Sequence, residues 1–139
     1  MCSNNKLLYE QNNDLSHKFL TLSEQSIKQI ESKDLRVFHH HIYEFKKGLR
    51  NLVLVTQKKK YQSVILDKLQ KHEIDYLIHE ITTVKINVYF GHKACIDVVR
   101  AFNRHLNKLT AEEDFILGIM LGYDRLLQCH RYVDRKQNK

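Results

Sequence analysis

The stretch from Thr110 to Tyr132 constrains this chain more than any other. Thr110 followed by Glu113 is a capping box, in which each side chain satisfies an orphan backbone N–H at a helix start. Glu112, Glu113 and Asp114 suit the positive end of the helix dipole. From Phe115 to Tyr123 there is almost no polar residue, so a helix here must be covered on more than one side. The spacing predicts one continuous helix to Tyr132, with Gly118, Gly122, Arg125 and Cys129 in a single stripe. A glycine inside a helix costs about 1 kcal/mol relative to alanine, so the stripe implies that another backbone comes close.

The preceding chain alternates between helical and strand periodicity. Residues 1–13 are polar and Asn-rich and read as a disordered or loosely ordered tail, leaving 14–139 as a single domain. Leu15, Phe19, Leu22, Ile27 and Ile30 follow helical spacing, with Ser23 placed to cap a second short helix. Asp34 then reads as the N-cap of a helix running to Lys47 and ended by Gly48. Leu35, Phe38, Ile42, Phe45 and Leu49 form its apolar face. Leu52–Val55 is a buried strand, and a helix from about Lys58 to Lys71 follows. Ile74–Ile81 is a second strand and Val84–Phe90 a third, in which Val84, Ile86, Val88 and Phe90 face a core while Lys85, Asn87 and Tyr89 face away. Gly91 ends it, and His92–Leu106 is helical with Cys95, Val98, Val99, Phe102 and Leu106 on one face.

The fold class is therefore α+β: a three-stranded sheet from a strand–helix–strand–strand–helix core, a split βαβ arrangement, packed with about five helices. A right-handed crossover places the third strand between the first and second, antiparallel to both. The first strand, apolar on both faces, is then an edge, and an open apolar edge invites pairing. A homodimer resolves this, through surface that includes Leu52 and Leu54 of the first strand or Gly118 and Gly122 of the last helix.

The net charge of +7 and the isoelectric point near 9.3 fit an acidic protein surface or nucleic acid. Lys46, Lys47, Arg50, Lys58, Lys59 and Lys60 follow one another without an intervening acid. Lysines opening a helix are electrostatically misplaced unless an anion docks beside them. Gly91, His92 and Lys93 make a second strand–helix junction of that kind, at the opposite end of the sheet. Aromatics interleaved with basic residues, the mark of a single-strand binder, are scarce, so nucleic acid ranks below protein. No apolar run approaches the ~20 residues of a membrane span and no signal peptide is evident, so the expectation is a cytoplasmic protein without a membrane partner.

Three adjacent histidines, His39, His40 and His41, diverge by about 100° each on a helix, so they do not converge on one ion. His40 and Glu44, one turn apart, are the weak metal candidates and need ligands from elsewhere. Cys95, near His92 and Lys93, has a setting that lowers a thiol pKa, yet shares its face with Val99 and Phe102 as a core cysteine does. Cys129 is expected to pack on the glycine stripe. No nucleophile–base set and no nucleotide loop can be assembled, and no cofactor is expected.

Three blocks, His40–Leu54, Lys85–Gly91 and Glu112–Cys129, resemble the bacterial proteins grouped as DUF2023, over about residues 37–133. The resemblance implies three strands, five helices, a homodimer and no assigned activity. It also implies a gene neighbourhood shared with flavodoxin. Flavodoxins are acidic and this chain is basic. The reading is thus a non-enzymatic, homodimeric protein-binding or regulatory module, docking flavodoxin in electron transfer or iron-responsive physiology. The alternatives are a nucleic-acid-binding protein and a metal- or thiol-dependent enzyme or sensor.

Overall fold

The computed structural model describes residues 24–26, 28–31, 33–103 and 105–138; the expected tail at 1–13 and the expected cap Ser23 lie outside them. The chain divides into two compact units, Met1–His40 and His41–Lys139. In the first, residues 24–26, 28–31 and 33–34 are helical, and Leu35 and Phe38 are buried. Asp34 is itself helical and follows helical residues, so it is not the start that its N-cap preference suggests. Helix α1 (Arg36–Lys46) begins in this unit and ends in the next.

The second unit carries the sheet. Its elements are β1 (Leu52–Lys58), α2 (Gln62–Lys71), β2 (Asp75–Glu80), β3 (Lys85–Gly91), α3 (Lys93–Phe102), α4 (Ala111–Met120) and α5 (Arg125–Gln137). The strand order is β1-β3-β2, with β3 antiparallel to both neighbours, as the split βαβ reading requires. The register sets Leu52 against Gly91, Leu54 against Tyr89, Thr56 against Asn87 and Lys58 against Lys85. On the other side of β3, Leu77 faces Tyr89 and His79 faces Asn87.

Side chains alternate across a sheet, so this register assigns every residue to a face. One face carries Val53, Val55, Ile86, Val88 and Phe90, all buried. Phe45 of α1 meets Phe90 edge-on at 6.4 Å. Alternation predicts that the other face points away from the core. It does not: Asn87 and Tyr89 are buried there, and Leu52 and Tyr89 pack with Ile96 and Val99 of α3 and Leu117 of α4. β3 is sandwiched, and only its first residue, Lys85, is exposed. Val84, placed in the core by alternation, precedes the strand and is exposed.

The long C-terminal helix is two helices. α4 starts at Thr110 with the capping box intact, Glu113 N donating to Thr110 Oγ1 at 3.1 Å and Thr110 N to Glu113 Oε1 at 3.0 Å. It stops at Leu121 because Gly122 takes φ +79, and Asp124 opens α5 by accepting from Leu127 N at 2.9 Å. The helices fold back as an antiparallel hairpin. Arg131 grips Asp114 with two bonds of 2.8 and 3.1 Å, and Lys136 reaches Glu112 at 2.7 Å. That hydrogen bond from Lys136 holds the Glu112 carboxyl down to about 2. Gly118 still allows a close approach, since a Cβ there would collide with the Gln128 side chain. Gly122 belongs to the turn, and Cys129 is exposed instead of packed.

Three helices end alike. Gly48, Glu73 and Gly122 adopt left-handed backbone, and the two N–H groups past each helix return to its last turn, the Schellman pattern. Tyr123 N donates to Gly118 O at 3.1 Å and Gly122 N to Ile119 O at 3.0 Å. The residue placed between the apolar run and Asp124 decides the turn, which hydrophobic periodicity alone passes over. α2 is likewise shorter than expected, with Lys59–Tyr61 forming a 3-10 turn before it. α3 ends at Phe102, because Asn103 is left-handed at φ 49 and Leu106 falls in a separate turn.

Left-handed backbone costs a residue with a Cβ roughly 1–2 kcal/mol, partly offset by its stiffer unfolded chain. Gly122→Ala should therefore lower unfolding free energy by about 1 kcal/mol, and Glu73→Gly should leave it unchanged or raise it. Urea denaturation checks both, and equal losses in the two variants would contradict the turn assignments.

Candidate functional site

The six basic residues of 46–60 do not share one surface. β1 carries Lys58–Lys60 to one end of the sheet, about 20 Å along the strand from Asn51. Lys46, Lys47 and Arg50 stay at the other end, where Asn51 O accepts from His92 N at 3.0 Å and Leu52 pairs with Gly91. There the charges are engaged. Arg50 Nε lies 2.9 Å from Glu44, Lys46 Nζ lies 3.0 Å from His72 Nδ1, and Lys47 sits over the Tyr43 ring at 5.6 Å. Lys93 bridges to Asp97 at 3.3 Å, and the His92 ring lies 5.2 Å from Phe45. Gly91 has φ +156 and lies so close to β1 that a Cβ would collide with Asn51 O and come within 2.9 Å of Leu52 Cα. That junction is tight packing of backbone on backbone.

The Lys58 end is different. Lys58, Lys59, Lys60 and Lys85 border one open groove of about 540 Å³, with Thr83 and Val84 completing it. Lys85 is the residue that sequence reasoning missed: it lies far along the chain and reaches Lys58 only through the antiparallel register. Lys59 is partly neutralised by Glu80 at 2.7 Å, and Lys60 lies over the Tyr61 ring at 5.1 Å. Lys59 N donates to Val84 O at 2.8 Å, which ties the two walls together. Exposed ion pairs of the Lys59–Glu80 kind contribute little to stability, about 0–1 kcal/mol.

The metal candidates do not converge. His40 is exposed, while Glu44 is bonded to Arg50 and lies 3.7 Å from His41 Nδ1. Among the described residues no three His, Cys, Asp or Glu side chains are grouped to hold an ion. Cys95 is half-buried against the core cluster. Leu52 is consumed by the chain's own core and Leu54 is half-buried beside it.

Next to the lysine pair on the same face lies a row of polar side chains: Thr56, Asn87 and His79. Thr56 Oγ1 donates to Asn87 Oδ1 at 2.7 Å. The His79 ring stands edge-on to Tyr89 at 5.7 Å and 5.0 Å from the His105 ring. Burial first, then the charge of His105, push the His79 pKa below its ordinary value, and burial raises the Tyr89 phenol to about 12.

No helix among the described residues is long and apolar enough to cross a membrane. A family model described as "Protein of unknown function (DUF2023)" matches residues 36–135. No curated protein matches the chain.

His79 and His72 both have folded pKa values below their ordinary 6.5, so between the folded and unfolded values the unfolded chain holds more protons. Stability should rise with pH through that window and fall as the solution is acidified below about 6.5. His79→Gln should flatten the dependence in urea midpoints measured from pH 7.5 to 5.5. An unchanged slope would contradict the burial of His79.

Proposed function

The chain belongs to the DUF2023 family of proteins of unknown function, and within that family we propose that it is a non-enzymatic docking module for an acidic protein. The observation that carries this reading is the groove bordered by Lys58, Lys59, Lys60 and Lys85. Lys58, Lys59, Lys60 and Lys85 line it, with Glu80 paired to Lys59, and clustered cationic side chains attract an acidic surface from a distance and orient it on arrival. The open shape suits carboxylate side chains of a folded partner better than a substrate, which needs enclosure and convergent polar groups. Flavodoxin, to which the family resemblance points, is the acidic partner proposed, in a cytoplasmic bacterial setting. The lysines at the Lys46 end are left out of this surface because β1 separates them from it by the length of the strand.

Calorimetric titration with flavodoxin at low ionic strength should show binding that weakens as salt rises. Lys58→Glu with Lys85→Glu should weaken it at least tenfold, the scale of removing complementary charge, while Lys93→Glu changes little. No binding at low salt sinks the flavodoxin reading. Retention of mixed oligonucleotides with a steep salt slope would favour nucleic acid instead.

A homodimer is the second part of the reading. It is supported by the α4–α5 hairpin, where Leu126 and Leu127 are 66% and 65% exposed, with Ile116 and Ile119 also exposed. Sedimentation should give a dimer mass that falls to a monomer in Leu126→Lys/Leu127→Lys. A monomer in the unaltered protein at high concentration would refute it.

A further inference from the structure

We propose that the cavity between β1 and the α4–α5 hairpin binds a small apolar molecule carrying a carboxylate head. The cavity measures about 260 Å³, just below the usual range of ligand pockets, which suits a small molecule. Leu54 of β1, Leu106 of the turn before α4, and Leu117 and Leu121 of α4 supply its apolar wall. Leu117 and Leu121 are buried in the core cluster, whereas Leu106 is 38% exposed, so this wall runs from the core to the surface. Interiors are close-packed, and leucines that leave such a space open forgo dispersion contacts that a ligand would restore. The cavity shares no lining residue with the lysine groove, so its ligand goes beyond the docking reading.

The polar side chains of the cavity select the head group. Gln128, in the first turn of α5, is half-buried, and its side chain makes no hydrogen bond among the described residues. Its Oε1 rests against Gly118, where an added Cβ would collide with it, so Nε2 with its two hydrogens is the free end. A Cβ at Gly118 would force the amide off this seat, so the glycine is what fixes the donor. Arg131, one turn further along α5, spends Nε and Nη2 on Asp114 and keeps both Nη1 hydrogens. Asp114 also lies 3.6 Å from Arg135 Nη1, so two guanidinium groups share one carboxylate and one positive charge is left over. Both Asp114 oxygens already accept from Arg131, which leaves an amine or a metal cation no carboxylate to bind. Free donors beside an unmatched guanidinium suit a carboxylate, the partner a guanidinium binds most directionally. Arg131 is exposed, which sets the head at the mouth and the apolar body against the leucines.

The test uses the full chain without any protein partner, so its failure is separable from failure of docking. Phenylacetate, isovalerate and the uncharged phenylacetamide are titrated while leucine methyl and Gln128 side-chain amide resonances are followed. Saturable shifts centred on Leu54, Leu106, Leu117 and Leu121 are expected with the acids, and binding at least tenfold weaker with phenylacetamide. Gln128→Leu, close in size, should weaken phenylacetate about tenfold, the scale of one charge-assisted hydrogen bond removed. Gly118→Ala should weaken it at least as much without lowering the thermal midpoint, because alanine favours the helix and a flexible side chain yields to it. Lys85→Glu, in the lysine groove, should bind the acids as the parent does. Equal binding of acid and amide, shifts centred on Lys58 to Lys60, or full binding in both Gln128→Leu and Gly118→Ala would overturn the proposal. Titrations in which no probe reaches saturation at the cavity leucines would overturn it as well.

Discussion

The structure depends on β3. It is hydrogen-bonded along both edges and covered on both faces, so it fixes where every other element of the second unit lies. A strand buried in this way tolerates one register only, because a slip of one residue would exchange Val88 and Phe90 with Asn87 and Tyr89. The register in turn determines which charges meet. Lys58 and Lys85 face each other because Leu52 faces Gly91 at the other end, and Gly91 lies there because any side chain would strike the backbone of β1. A steric constraint at one end of the sheet thereby sets the electrostatics of the other.

Much of the fold is legible in the residues. The apolar run at Leu52–Val55, the alternation through Ile86–Phe90 and the capping box at Thr110 lead to the correct strand order and to the start of α4. Terminations and faces are what they miss. Hydrophobic periodicity carries across Gly122 without interruption, since two helices of a hairpin and one long helix bury similar residues. The turn is written in a left-handed glycine followed by the cap Asp124, and a capping scan would find it. Asn103 ends α3 for the same reason. Alternation turns Asn87 and Tyr89 away from the core face because a polar–apolar pattern normally marks a one-sided strand. Here the second side is covered by α3 and α4, with the tyrosine supplying apolar bulk.

The charged residues are harder to read. A run of basic side chains in sequence becomes a patch only if the chain keeps them together, and an extended β1 carries them apart. Arg50 finds a local partner in Glu44, whereas Lys46 meets His72 and Lys58 gains Lys85 from elements that no local window includes. The polar row of Thr56, Asn87 and His79 is likewise invisible until the strands are paired. Sites assembled across a sheet follow from register, and register emerges only after the core has been placed.

The most direct test is the pattern of cross-strand Hα–Hα contacts between β1 and β3 in a nuclear Overhauser spectrum. Contacts are predicted at alternate pairs of the ladder that joins Leu52 with Gly91 and Lys58 with Lys85. Contacts displaced by one residue, placing Lys58 against Ile86 or Val84, would contradict this register and dissolve both the lysine groove and the polar row beside it.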